Sequence, residues 1–109
     1  MILDNLKTAK IDISSSGDNE IIAAQGEGTY IYIDHINFIP NTAVGVTIKS
    51  GSTELSGAYS LDAKQAFVLD NAMAAEKGII TCASNEAFNL NLDAAVQVSG
   101  FVRYRIINK

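Results

Sequence analysis

Residues 88–104, FNLNLDAAVQVSGFVRY, decide the fold of this chain. Apolar residues alternate with asparagines in the first half and with mainly polar residues in the second, and residues 93–95 separate the halves. Side chains of a β-strand point alternately to opposite faces, so each half has one face for a core and one for solvent. The pattern predicts two antiparallel strands, and the short break predicts that they pair as a hairpin. Gly100 interrupts the apolar phase, which indicates a bulge or a close approach of two backbones.

The longest β-rich run upstream covers residues 29–39 and ends at Pro40. Its apolar phase slips near Asp34 and His35, because Ile33 and Ile36 lie in opposite phases of the run. A slip of one residue in a strand predicts a β-bulge or a bend between sheets.

The remaining chain reads as further short strands that glycine, serine and asparagine interrupt. About eight such strands predict an all-β, antiparallel, jelly-roll-like β-sandwich. We assign residues 9–109 to this single domain and residues 1–8 to an N-terminal arm, where apolar and charged residues follow no period. Residues 70–77 are the one segment with a helical pattern, since Asp70 can cap a helix and Gly78 can end one.

Composition excludes several classes of protein. The net charge is -4 with eight Lys and Arg residues, which gives no dense positive charge for nucleic acid or for an anionic membrane. The single cysteine, Cys82, excludes an intrachain disulfide and is expected to be a buried small apolar residue. We find no signal-peptide pattern and no long apolar run, so the product is expected to stay in the compartment where it is made.

Catalytic residues do not converge in the sequence. His35 is the only histidine, no nucleophile-elbow motif is present, and no cysteine or carboxylate stands at metal-ligand spacing from His35. Most aspartates lie beside turn residues, where their side chains bond the local backbone. We therefore expect no enzyme activity, no metal and no cofactor.

Two groups of side chains are candidate contact residues. Phe101, Arg103 and Arg105 share the outer face of the last strand, and an aromatic residue beside arginines is typical of a subunit interface. His35, at the predicted bulge, is a second candidate for that interface, where its protonation would make assembly acid-sensitive.

Tyr30 and Tyr32 lie on one face of the longest strand. Exposed aromatic rings at this spacing can stack on sugars or line an interface, and we regard this pair as a candidate ligand face. The alternative is that the strand is buried on both sides, so that both rings belong to the core.

Residues 46–57, VTIKSGSTELSG, and residues 88–104 resemble small virion proteins of tailed bacteriophages. The layout is similar over about residues 10–105. The resemblance implies a jelly-roll module that works as a trimer, in capsid decoration proteins, head fibres or tail-fibre tips. Neither block is a catalytic motif, so the resemblance implies a role and an assembly state without implying site residues.

From these observations we expect a homotrimeric virion protein that is made in the host cytoplasm. Its partners would be the major capsid protein or another virion protein, which it would stabilise or from which it would project. The alternative is a receptor- or carbohydrate-binding fibre tip.

Overall fold

The computed structural model describes residues 6–70 and 78–108, and these residues form ten β-strands. The strands, in chain order, are β1 Lys7–Ile13, β2 Gly17–Ile22, β3 Thr29–Pro40, β4 Val44–Ser50, β5 Thr53–Glu54, β6 Tyr59–Leu61, β7 Phe67–Asp70, β8 Ile80–Thr81, β9 Phe88–Leu92 and β10 Val98–Asn108.

The strands form two antiparallel sheets that pack face to face. Sheet A has the order β1-β10-β3-β7, with β8 also paired to β3, and sheet B has the order β2-β9-β4-β5, with β6 also paired to β4. The pairing is nested, because early strands pair with late ones and middle strands pair with each other. Such nesting is the jelly-roll arrangement of a β-sandwich, so the predicted fold class is confirmed. The structure has ten strands where about eight were expected, and two of the ten, β5 and β8, are only two residues long.

The predicted hairpin between the last two strands is wrong. β9 pairs with β2 and β4 in sheet B, whereas β10 pairs with β1 and β3 in sheet A. Residues 93–97 therefore carry the chain from one sheet to the other. The alternation in the sequence correctly gave the buried face of each strand, but the inner faces of two packed sheets have the same alternation as a hairpin.

The predicted irregularities lie where the sequence placed them. The register of β10 against β3 shifts between Arg103 and Tyr104, which pair with His35 and Ile33 and leave Asp34 as the extra residue of a bulge. At Gly100, an added Cβ would lie 1.9 Å from the backbone oxygen of Asn37. Only glycine allows β10 to approach β3 this closely.

The core lies between the sheets and is aliphatic and aromatic. Its largest fully buried side chains come from both layers and include Phe38, Phe88, Ile33, Ile36, Leu90 and Val102. Cys82 is also buried, as expected.

Strands β1 and β7 extend into two segments that the sequence placed outside strands. β1 begins at Lys7, and both Lys7 and Thr8 pair with β10, so they belong to sheet A and not to the predicted arm. The predicted helix over residues 70–77 falls almost wholly outside the described residues, and Asp70 ends strand β7.

Candidate subunit interface

The outer face of sheet A carries most of the predicted contact residues. Two rows of side chains cross it from β10 to β7. One row consists of Phe101, Asn37 and Val68, and the row beside it consists of Arg103, His35 and Asp70. These rows arise because residues in register on neighbouring strands point to the same side of a sheet.

His35 is at the centre of this face and is held by neighbours on three sides. Its ring stacks on Phe101 with the ring centroids 5.2 Å apart. Its Nε2 atom lies 2.8 Å from Asn37 Nδ2, and its Nδ1 atom lies 3.4 Å from Asp70 Oδ1. The structure thus brings together Phe101, Arg103 and His35, three of the four residues predicted for the interface, and adds Asn37 and Asp70 to them.

Arg105, the fourth predicted interface residue, has its charge engaged within the chain. Its Nε and Nη2 atoms donate hydrogen bonds of 2.7 and 2.8 Å to the two carboxylate oxygens of Asp34. Asp34 is only 1% exposed. The hydrogen bonds to Asp34 raise the pKa of Arg105 above its ordinary value. Arg105 therefore anchors the bulge, and Arg103 is the exposed arginine of this face.

Of the two tyrosines of the candidate ligand face, one is buried and the other is half-buried. Tyr32 is 4% exposed, and the guanidinium carbon of Arg105 lies 5.7 Å from the centre of its ring. The premise that both tyrosine rings are exposed is therefore wrong for Tyr32. Tyr30 is half-buried and lines a groove of about 300 Å³ with Leu55, Thr81 and other residues at one end of the sandwich.

Two exposed apolar residues lie on the β7 side of the sheet A face. Val68 is 57% exposed and Ile39 is 43% exposed. Together with Phe38, Ala66 and Ser99 they line a groove of about 320 Å³ that opens beside His35. A groove with apolar walls and a few polar groups at its edge is suited to receive an apolar side chain of a partner.

The outer face of sheet B is polar. Asp18 accepts hydrogen bonds from Lys49 Nζ, at 3.0 Å, and from Asn91 Nδ2, at 2.7 Å. These two bonds, with that from Asn91 the stronger influence, hold the pKa of Asp18 below its ordinary value. Asn89 Nδ2 donates to the backbone oxygen of Gly51. Asp18, Lys49, Asn89 and Asn91 on this face are therefore engaged in hydrogen bonds within the chain.

Cys82 is unsuited to chemistry in this structure. Its side chain is fully buried beside Ser50, and burial raises its pKa to about 11. The reactive form of cysteine is the thiolate, which is scarce at neutral pH when the pKa is this high.

Metal ligation by a side-chain cluster and membrane crossing by a helix find no support in the described ranges, 6–70 and 78–108. No group of three or more His, Cys, Asp or Glu side chains there could hold a metal ion. No helix there is long and apolar enough to cross a membrane.

Sequence reasoning missed the residues of the β7 side, namely Ile39, Val68 and Asp70. Phe67, Val68 and Leu69 are consecutive and all apolar, so nothing in the local sequence indicates which of them faces outward. The signal was the register with Asn37, which depends on a strand pairing that the sequence does not reveal.

The fold is similar to that of a known structure. A solved chain from Bacillus endospore appendages, which form a family of disulfide-linked pili, superposes with a TM-score of 0.54. The identity is 13%, and the match covers 94% of this chain and 86% of that chain. At this identity the likeness shows the fold alone. No protein-family model and no curated protein matches the sequence.

Proposed function

We propose that this chain is a non-enzymatic structural subunit of a bacteriophage virion. It forms a homotrimer and binds the capsid as a decoration protein or head fibre. The phage assignment is supported by the resemblance of residues 46–57 and 88–104 to small virion proteins.

The observation that carries the proposal is the contrast between the two outer faces. Sheet A presents Phe101 and Arg103 beside an apolar groove, whereas on sheet B Asp18 accepts hydrogen bonds from both Lys49 and Asn91. Apolar residues beside an aromatic ring and an arginine are typical of the centre of a protein interface. A structural subunit with one such face can associate with copies of itself through that face.

The structural neighbour supports an assembling role in one respect only. Those Bacillus appendages form pili, so a sandwich of this fold can serve as a building block. The disulfide linkage of those pili does not carry over to this chain. Cys82 is the only cysteine of the 109 residues, and its side chain is buried, so we infer that copies of this chain associate by non-covalent contacts.

The alternative, a receptor- or carbohydrate-binding tip, is favoured by one observation. Tyr30 is half-buried beside a groove that also presents Thr53, Thr81 and Glu86. An aromatic ring together with hydroxyl and carboxylate groups can bind a sugar, since the ring packs on the apolar side of the sugar and the polar groups bond its hydroxyls.

A binding experiment separates the two candidates. The purified protein would be mixed with phage capsids that lack it, the capsids would be sedimented, and the bound protein would be measured. Saturable binding to capsids supports the virion role. Absence of capsid binding, combined with binding to a glycan array that Tyr30→Ala abolishes, would overturn it in favour of the tip.

A further inference from the structure

The two halves of the sheet A face differ in charge and shape. The half on β1 and β10 carries the exposed cations Lys10 and Arg103 around the half-buried ring of Phe101. The carboxylate of Asp12, which accepts a hydrogen bond from Gln97, lies at one end of this half. The half on β3 and β7 carries Asp70, 51% exposed, and the apolar groove with Val68. Around Phe101 the first half is thus cationic, and the second half combines a carboxylate with an apolar recess.

The spacing and direction of the two halves match. β10 and β7 are both antiparallel to β3, so they run parallel to each other. Phe101 and Arg103 are two residues apart on β10, as are Val68 and Asp70 on β7, and two residues of a strand span about 7 Å. A second copy rotated about an axis parallel to the strands keeps this direction, so both pairs can form in one register.

We propose that the partner of this face is a second copy of the chain, bound so that β10 of one copy lies against β7 of the next. In this contact Phe101 packs against Val68 in the neighbour's groove, and Arg103 pairs with the neighbour's Asp70. The rotation axis runs parallel to the strands. This inference rests on the self-association within the proposed function and adds the residue pairs and the axis.

The distance between positions 103 and 70 within one copy makes a disulfide between them a specific test for contact between copies. Arg103 and Asp70 are both in register with His35, on either side of it, so their Cα atoms are two strand spacings apart, about 10 Å. Cysteines whose Cα atoms are more than about 7 Å apart do not form a disulfide. A disulfide between positions 103 and 70 can therefore form only between copies.

The test is the double variant Arg103→Cys/Asp70→Cys, oxidised at a protein concentration where the wild type is associated. We expect closed covalent oligomers on a non-reducing gel, which revert to monomers on reduction. Glu20→Cys/Glu54→Cys is the matched control on sheet B, since both sites are exposed and three strand spacings apart. We expect that control to remain monomeric on the gel.

Charge exchange provides a second readout. Arg103→Asp and Asp70→Arg should each raise the dissociation constant about tenfold, because each places like charges opposite one another across the contact. The double variant, with both changes in one chain, should restore the wild-type value. Circular dichroism confirms that each variant is folded.

The outcomes separate this inference from the proposed function. A wild-type protein that associates while the Arg103→Cys/Asp70→Cys variant gives no covalent oligomer overturns the pairing and leaves self-association intact. Failure of the double charge exchange to restore association has the same meaning. A wild-type protein that stays monomeric overturns both.

Discussion

The two outer faces of this sandwich are built from the same strand geometry but differ in how their charges are used. On sheet A, the ion pair of Arg105 and Asp34 is nearly buried at a bulge, and apolar residues and Arg103 remain exposed around it. On sheet B, Lys49 is 14% exposed, close to the 15% of Arg105, but its partner Asp18 is 41% exposed and also accepts a hydrogen bond from Asn91. The difference shows that a charged side chain on a sheet face can have two roles, which depend on its burial. A buried charge holds the backbone in place, and an exposed charge keeps the face solvated.

Breaking each ion pair in the same way tests this comparison and should give the largest effect. Asp34→Asn leaves the Arg105 charge without its buried partner, and we expect a loss of about 3–5 kcal/mol in the free energy of unfolding. Asp18→Asn on sheet B should cost less than about 1 kcal/mol, because solvent screens the exposed carboxylate of Asp18. Urea unfolding measures both. Equal losses from the two variants would show that the contrast in burial has no energetic consequence.

The difference in association between the faces is tested by adding one charge to each. Phe101→Glu places a carboxylate at the centre of the sheet A face, and we expect it to convert the oligomer to monomers, with a dissociation constant at least about thirtyfold higher. The control is Ser60→Glu, at an exposed site on sheet B. Size-exclusion chromatography reports both. An oligomer that survives Phe101→Glu but not Ser60→Glu would place the interface on the other sheet.

The smallest expected effect is an acid dependence of stability from sheet B. The pKa of Asp18 is lower in the folded chain than its ordinary value of 3.8, chiefly because Asn91 donates a hydrogen bond to it. A lowered folded pKa gives stability that is present above the unfolded pKa and is lost as the pH falls through the folded pKa. The wild type should therefore lose stability below about pH 4 more steeply than Asp18→Asn. Parallel curves of unfolding free energy against pH for the two proteins would contradict this.

Local patterns in the sequence predicted features that depend on one strand. The phase slip between Ile33 and Ile36 predicted the bulge, and the misplaced Gly100 predicted the close backbone approach. The alternation of β9 and β10 predicted their buried faces. Each of these features follows from the two-residue period of a strand, which is visible in a few consecutive residues.

Features that depend on two distant strands were not predictable. The pairing of β9 with β4 and of β10 with β3 has no local signature, so the expected hairpin was wrong. Arg105 and Asp34 are 71 residues apart, and nothing near Arg105 indicates that its charge is engaged. The groove on the β7 side was missed for the same reason, since Val68 faces outward only through its register with β3.

The central claim is that copies of this chain associate through the outer face of sheet A, and the most direct test is a pair of solution masses. Light scattering during size-exclusion chromatography would be applied to the wild type and to Phe101→Glu at equal concentration. The account predicts three chains of 11.6 kDa each for the wild type and one for the variant. A single chain for the wild type, or three chains for both proteins, would contradict it.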